Sequence, residues 1–170
     1  MTPARAPLPA VRAAVAGDGP DLVHVDALTW SSDVTPAPRW DPGRRFFEGC
    51  AVEDVLVAEV DGRTAGYAVV SPYLPFPSAA HVQELRSLAV APEARRRGAG
   101  RALLSAARDL AARRGARKLV LRVLGGNTGA LALYRSAGYE VEGVLKGLFL
   151  LDGRPVDDVL MALDPTGRAG

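Results

Sequence analysis

Apolar and polar positions along this chain follow two different periods, and its elements meet where one period gives way to the other. Residues 8–16 (LPAVRAAVA) read as a first strand. After Gly19 and Pro20, residues 21–29 read as a short helix, with Leu22, Val25, Ala27 and Leu28 on or near its buried side. Residues 30–45 are rich in turn formers, and a loop that long in a small domain is often functional. A period of two then takes over. Val55–Val60, Asp61-Gly62 and residues 64–70 predict a hairpin, because Asp-Gly supplies the positive φ that a two-residue turn demands. Residues 71–80 hold three prolines and predict a loop. Residues 81–91 form a further strand, ended by Pro92, which has no N–H to give to a ladder.

Beyond Gly100 the period is helical. Leu103, Leu104, Ala107, Leu110 and Ala111 share one stripe, Arg101, Arg108 and Arg113 lie mainly outside it, and Gly115 is placed to end the helix. Residues 119–124 are apolar on both faces apart from Arg122, as a central strand should be. A second helix covers residues 128–137, with Gly138 at its end, and residues 139–151, Asp152-Gly153 and Arg154–Leu163 close the chain as a hairpin. The order is strand, helix, three strands, helix, strand, helix, two strands, which is α/β or α+β with a mixed sheet. No repeat and no dividing linker is visible, so one domain is expected over residues 1–170, with a core from about residue 8 to residue 164.

Composition removes several classes of function. The 170 residues carry 21 Lys plus Arg against 19 Asp plus Glu, a formal charge of +2, whereas sequence-independent DNA binding usually wants a larger basic excess on one face. A nucleic-acid reading built on Arg95, Arg96, Arg97, Arg113, Arg114 and Arg117 would predict steeply salt-dependent retention on heparin. A single cysteine rules out an internal disulfide and a Cys-cluster metal site, and only two histidines, His24 and His81, are present, so no metal is expected. No apolar run approaches the ~20 residues that span a bilayer. Arg5 and Arg12 interrupt the Ala- and Pro-rich start, so the expectation is a cytoplasmic protein without a signal peptide or membrane contact.

The segment carrying most chemistry is residues 88–104, LAVAPEARRRGAGRALL. A strand enters a basic loop and then a helix. Exposed amides at the helix N-terminus, with Gly98 and Gly100 removing side-chain obstruction, can cradle a phosphate or pyrophosphate, and Arg95, Arg96 and Arg97 add charge. Charged hydrogen bonds contribute on the order of 1.5–3 kcal/mol each and the helix end roughly 0.3–1, so direct contacts dominate. A dinucleotide fingerprint would need glycine at Leu103, and a P-loop would need Lys where Arg101 stands.

Arg95-x-x-Gly98-x-Gly100, after a strand ending Leu88-Ala89-Val90, resembles the acetyl-CoA motif of the GNAT family of N-acetyltransferases. Asn127, Ala130, Leu133-Tyr134 and Gly138-Tyr139 resemble that family's second motif, at the expected distance. The sharp resemblance covers about residues 81–140, and the N-terminal third matches only in layout. It implies a GNAT fold, a mixed, mostly antiparallel sheet that splays at a cofactor groove. It further implies that backbone groups of Leu88 and Val90 pair with the pantetheine arm, that the amides around Arg96 to Arg101 (Arg96, Arg97, Gly98, Ala99, Gly100 and Arg101) hold the pyrophosphate, with Ala89 and Arg95 also in the cofactor-binding set, and that Asn127 and Ala130 line the opposite wall. Tyr134 stands at the family's general-acid position, where it would protonate the departing thiolate; the other reading is a core aromatic.

Glu84 stands where some family members carry a base, often acting through water; the other reading is an outward strand residue paired with Arg86. Glu140 is a weaker candidate. A lysine amine, with pKa about 10.4, is only ~0.1% neutral near neutral pH, a barrier of about 4 kcal/mol, whereas an α-amine near 8 costs a few tenths. A positioned carboxylate therefore matters more for lysine or polyamine acceptors. Cys50 has no evident histidine partner and reads as core filler.

By the same resemblance the acceptor site is formed from residues 28–47 and 143–158. Trp30, Trp40, Phe46 and Phe47 are either an apolar wall or loop packing. Asp33, Asp41, Asp157 and Asp158 either receive a cationic amine or are solvated acids. The 71–80 loop could border the site. The expectation is an acetyl-CoA-dependent N-acetyltransferase whose acceptor is a small-molecule amine or a peptide or protein N-terminus, with a homodimer left open. The alternative is a regulatory module that binds acetyl-CoA without turnover, against which the presence of Tyr134 and Asn127 argues.

Overall fold

The computed structural model describes residues 9–39, 41 and 43–167. A seven-stranded sheet of order β1-β2-β3-β4-β5-β7-β6 organises the chain. Its strands are β1 (Ala10–Ala13), β2 (Val55–Val60), β3 (Arg63–Pro72), β4 (Val82–Val90), β5 (Lys118–Leu124), β6 (Glu140–Leu151) and β7 (Arg154–Leu163). The helices are α1 (Gly19–Thr29), α2 (Ala99–Arg113) and α3 (Thr128–Ser136). Only β4 and β5 run parallel, joined by the α2 crossover that parallel neighbours require. Both Asp-Gly turns close as expected: Asp61 and Gly62 have φ of 53° and 72°, and Asp152 and Gly153 have 49° and 74°.

One apolar layer packs on each face of the sheet. Leu103, Leu104, Ala107 and Ala111 of α2, with Leu131 and Tyr134 of α3, meet Leu85, Leu119, Leu121 and Met161. On the other face Leu22 and Val25 of α1, with Phe46, meet Val55, Val57, Tyr67 and Val69. That second layer covers β2 and β3 in particular, leaving the same face of β5 and β7 without a helix.

Three expectations need correction. The first strand spans only Ala10–Ala13, and Leu8 lies outside the described residues. Asp18 is the cause: it accepts both Arg12 terminal nitrogens (2.8 Å each) and the Val15 amide (2.8 Å), pulling residues 16–18 into a turn. Ala27 and Leu28 are exposed, because the face of α1 that packs on the sheet carries Leu22 and Val25 and these two residues fall outside it. β3 continues to Pro72, opposite Gln83, so the proline-rich loop is shorter than the composition suggested. No helix among the described residues is long and apolar enough to cross a membrane.

Gly66 permits the close approach of β3 to the end of β4. A Cβ there would lie 2.5 Å from the Ala89 carbonyl oxygen and 3.2 Å from Val90 Cα, both backbone atoms that cannot step aside cheaply. Gly66→Val is expected to cost about 1–3 kcal/mol by overpacking. At about 2–4 °C per kcal/mol for a chain of this size, thermal unfolding should show a fall of roughly 2–12 °C.

Candidate functional site

The sheet opens between β4 and β5. They pair at only three positions, Val82 with Lys118, Gln83 with Leu119 and Glu84 with Val120. Beyond Glu84 each stays with its outer neighbour, β4 with β3 as far as Val90 opposite Gly66, and β5 with β7 as far as Leu124 opposite Asp158. A bulge marks the divergence: Ser87 faces Val69 and Leu85 faces Val70, leaving Arg86 as the extra residue of β4. The residues past it therefore present backbone groups toward β5 that no strand receives. A groove of about 1130 Å³ runs through this opening.

On the α2 and α3 side, the groove is lined by Leu88, Ala89, Val90, Arg95, Arg96, Gly98, Ala99, Gly100, Arg101, Asn127 and Ala130, so most of the sequence-predicted residues meet here. Arg96 and Gly98 take positive φ, 63° and 89°, turning the chain tightly into α2. The first intrahelical bond runs from the Ala102 amide to the Gly98 carbonyl (3.0 Å), so the amides of Ala99, Gly100 and Arg101 have no acceptor within the helix. A side chain at Gly100 would meet Leu133 Cδ2 at 3.3 Å, across the groove wall. Asn127 caps α3, its Oδ1 accepting the Ala130 amide (3.1 Å).

Three of the predicted residues are not among those lining the groove. The Arg97 guanidinium pairs with Asp61 at 2.8 Å, which directs that side chain to the β2–β3 turn. Tyr134 is packed in the core at 9% exposure, edge-on to Tyr139 with centroids 5.9 Å apart, one position round α3 from the groove residue Leu133. Burial pushes its phenol up to about 12. Glu84 sits half-buried at the throat where β4 and β5 still pair. Its burial raises the carboxyl above the ordinary range, while Arg86 and Arg122 act to lower it.

On the opposite side the groove is bounded by α1 and the loop after it. Trp30 lines it, with Nε1 donating to the Ala37 carbonyl (3.1 Å), and Trp40 lies outside the described residues. Phe46 packs edge-on to Tyr67 (4.9 Å) and to Phe47 (5.4 Å), which is loop packing rather than a groove wall. Of the four predicted acids, Asp158 reaches the groove: it is 4% exposed and accepts Arg122 Nε at 2.6 Å. Asp157 instead accepts Lys146 Nζ (2.7 Å) and the Gly147 amide (2.9 Å), which hold its carboxyl below the usual range. Asp33 is exposed and Asp41 accepts the Gly43 amide of its own loop. The 71–80 loop does not line the groove, and Glu140 is exposed on β6. Cys50 is part-buried, its thiol raised chiefly by burial, the opposite of an activated nucleophile.

The profile of the acetyltransferase (GNAT) family matches residues 21–139. The chain belongs to the GNAT family. Over 86 residues it is 40% identical to YhfO, an uncharacterized N-acetyltransferase of Bacillus subtilis (strain 168), covering 51% of this chain and 58% of that one. Over 107 residues it is 37% identical to a phosphinothricin N-acetyltransferase of Alcaligenes faecalis, covering 62% of this chain and 54% of that one. It thus spans just over half the length of these curated relatives. A GNAT superfamily phosphinothricin acetyltransferase of Sinorhizobium meliloti, crystallised with AcCoA, shares the fold with a TM-score of 0.77 at 23% identity, over 93% of this chain and 89% of that one.

In this GNAT chain several groove residues carry no sequence signal of their own. Asp26 of α1 accepts a hydrogen bond from the Tyr67 hydroxyl at the groove, and Tyr67 is 3% exposed. Burial raises the Tyr67 phenol, and nearby Asp26 raises it further. Arg86 lines the groove from the bulge, and Phe149 from β6. Arg122 was legible as the lone charge in an apolar strand, and its partner Asp158 explains it. Arg122→Met is expected to leave a buried carboxylate without its guanidinium, at a cost of about 1–3 kcal/mol. Thermal unfolding should register the loss.

Proposed function

We propose that the protein transfers the acetyl group of acetyl-CoA to a primary amine by direct attack on the thioester. The observation that carries this reading is the divergence of β4 from β5 directly beside the N-terminus of α2. The residues present fit the co-substrate, whose thioester supplies an activated acetyl group. Backbone groups of Leu88 and Val90, which alternate away from β3, suit an extended amide-bearing arm, and the amides of Ala99, Gly100 and Arg101 suit a pyrophosphate. Arg95, Arg96 and Arg101 bring charge to the same wall, and Asn127 and Ala130 bound the other.

Two groups assist the transfer in this reading, one by taking a proton and one by hydrogen-bonding the thiolate, which then takes its proton from solvent. Glu84 at the throat takes the amine proton, through water, since a primary amine attacks only in its neutral form. Tyr134 donates to the departing sulfur. With its phenol raised to about 12, it stays protonated at neutral pH. A thiol near 8.5 is the stronger acid, so Tyr134 acts by hydrogen-bonding the thiolate rather than by surrendering its proton to it. The acceptor is a small-molecule amine or a peptide N-terminus.

The direct test is calorimetric titration with acetyl-CoA, with ATP and NAD as controls, followed by thiol release on adding amines. Selective acetyl-CoA binding with amine-dependent thiol release is expected; folded protein that does neither overturns the proposal. Gly100→Glu, which puts bulk and negative charge into the cradle, should abolish acetyl-CoA binding. Tyr134→Phe should leave acetyl-CoA affinity nearly unchanged and lower kcat by on the order of 10- to 100-fold, the worth of one hydrogen bond to an anion. Because Glu84 must be ionised to accept a proton, activity should rise with pH through its elevated pKa. That acid limb should vanish in Glu84→Gln, as read from a kcat/KM profile.

A further inference from the structure

Several arginines of this chain are held by acidic side chains. Arg12 pairs with Asp18 and Glu59, Arg97 with Asp61, Arg114 with Asp54 and Arg122 with Asp158, at the far side of the same groove. Arg86 differs. It is exposed, it lines the groove, and its guanidinium makes no hydrogen bond and no ion pair with any described residue.

Its position is built rather than incidental. Arg86 is the extra residue of the β4 bulge, at the point where β4 leaves β5, and bulges re-aim a side chain in this way. The layering of the sheet gives its surroundings. Leu85 and Leu88 belong to the layer under α2 and α3, whereas Arg86 lies close enough to Cys50, on the α1 side, to act on its charge. The guanidinium is thus on the acceptor side of the opening, away from the cradle at the start of α2. Glu84, two residues earlier, feels it electrostatically but makes no bond to it. The facing guanidinium of Arg122 is already held by Asp158, so Arg86 is the group at the throat with donors to spare.

A fixed fork of N–H donors beside the reacting end of the groove suits a planar or tetrahedral oxyanion on the acceptor itself. We infer that the acceptor is a small amine bearing an anionic group, a carboxylate or a phosphonate-like oxyanion, and that Arg86 is the residue that selects it. This deepens the acetyltransferase reading and rests on it. It also chooses between the two acceptor classes, because the N-terminus of a peptide has no carboxylate of its own near the amine.

The experiment pairs acceptors that differ only in that group: an α-amino acid, its carboxamide, the matching aminoalkylphosphonate and an uncharged tetrapeptide amide. Thiol release from acetyl-CoA gives kcat/KM for each. Calorimetric titration of the same compounds in the presence of coenzyme A measures their binding without turnover. The wild type should favour an oxyanion-bearing amine over the carboxamide by on the order of 10- to 100-fold, and the ranking of carboxylate against phosphonate identifies the oxyanion. In Arg86→Met that ratio should collapse toward one, chiefly through KM, and Arg86→Lys should restore part of it. Equal use of amino acid, carboxamide and peptide amide by the wild type, or a ratio unchanged in Arg86→Met, overturns the inference. If oxyanion-bearing amines bind selectively through Arg86 but no amine releases thiol, the anchor stands and acetyl transfer is what fails.

Discussion

Three ladder positions between β4 and β5 control this molecule. Had the two strands stayed parallel along their length, the backbone groups of residues 86–90 would be consumed by β5 and the sheet would have no opening. Instead the Arg86 bulge breaks the register, β4 follows β3 to Gly66, β5 follows β7 to Asp158, and a wedge remains between the halves. Orphaned backbone polar groups in the middle of a sheet are costly unless something pairs with them, so the wedge is a standing demand for a strand-like ligand. The crossover helix starts at its mouth and adds a second demand, unpaired amides aimed at an anion.

The packing around the wedge keeps it open and supplies its two sides. α2 and α3 bury Leu103, Leu104, Ala107, Leu131 and Tyr134 against one face, which anchors the cradle and the Asn127 cap as rigid walls. α1 covers only part of the other face, leaving Glu84, Arg86, Arg122 and Asp158 on or near uncovered strand at the throat. Division of labour follows from that asymmetry. The covered side offers strand backbone and the unpaired amides of the α2 N-terminus, and the uncovered side carries the charged side chains.

What was legible beforehand was local. Gly98, Gly100 and the arginines beside them announce an anion cradle because helix N-termini and glycine φ preferences are short-range physics. Asn127 announces a cap for the same reason. Arg97 misled, since its sequence neighbours say nothing of Asp61, 36 residues earlier and 2.8 Å away. Asp157 and Asp158 are adjacent acids with opposite fates, one on Lys146 and Gly147 at the surface, the other enclosed against Arg122, and strand alternation separates them only once β7 has a partner on each side. The Asp26–Tyr67 contact joins a helix to a strand 41 residues later and had no local trace.

The sequence by itself determined the element order, the two Asp-Gly hairpin turns, the amphipathic stripe of α2 and the tight glycine-bearing turn of residues 95–101 into it, because each depends on dihedral preference or periodicity within a few residues. Only the tertiary structure decided where the sheet splits, that Arg86 is the bulged residue at the split, that Tyr134 is buried edge-on to Tyr139 next to the groove residue Leu133, and which acids reach the throat. Those outcomes depend on register between strands far apart in the chain. A one-residue slip of pairing moves a side chain to the opposite face, and no property of a single segment records it.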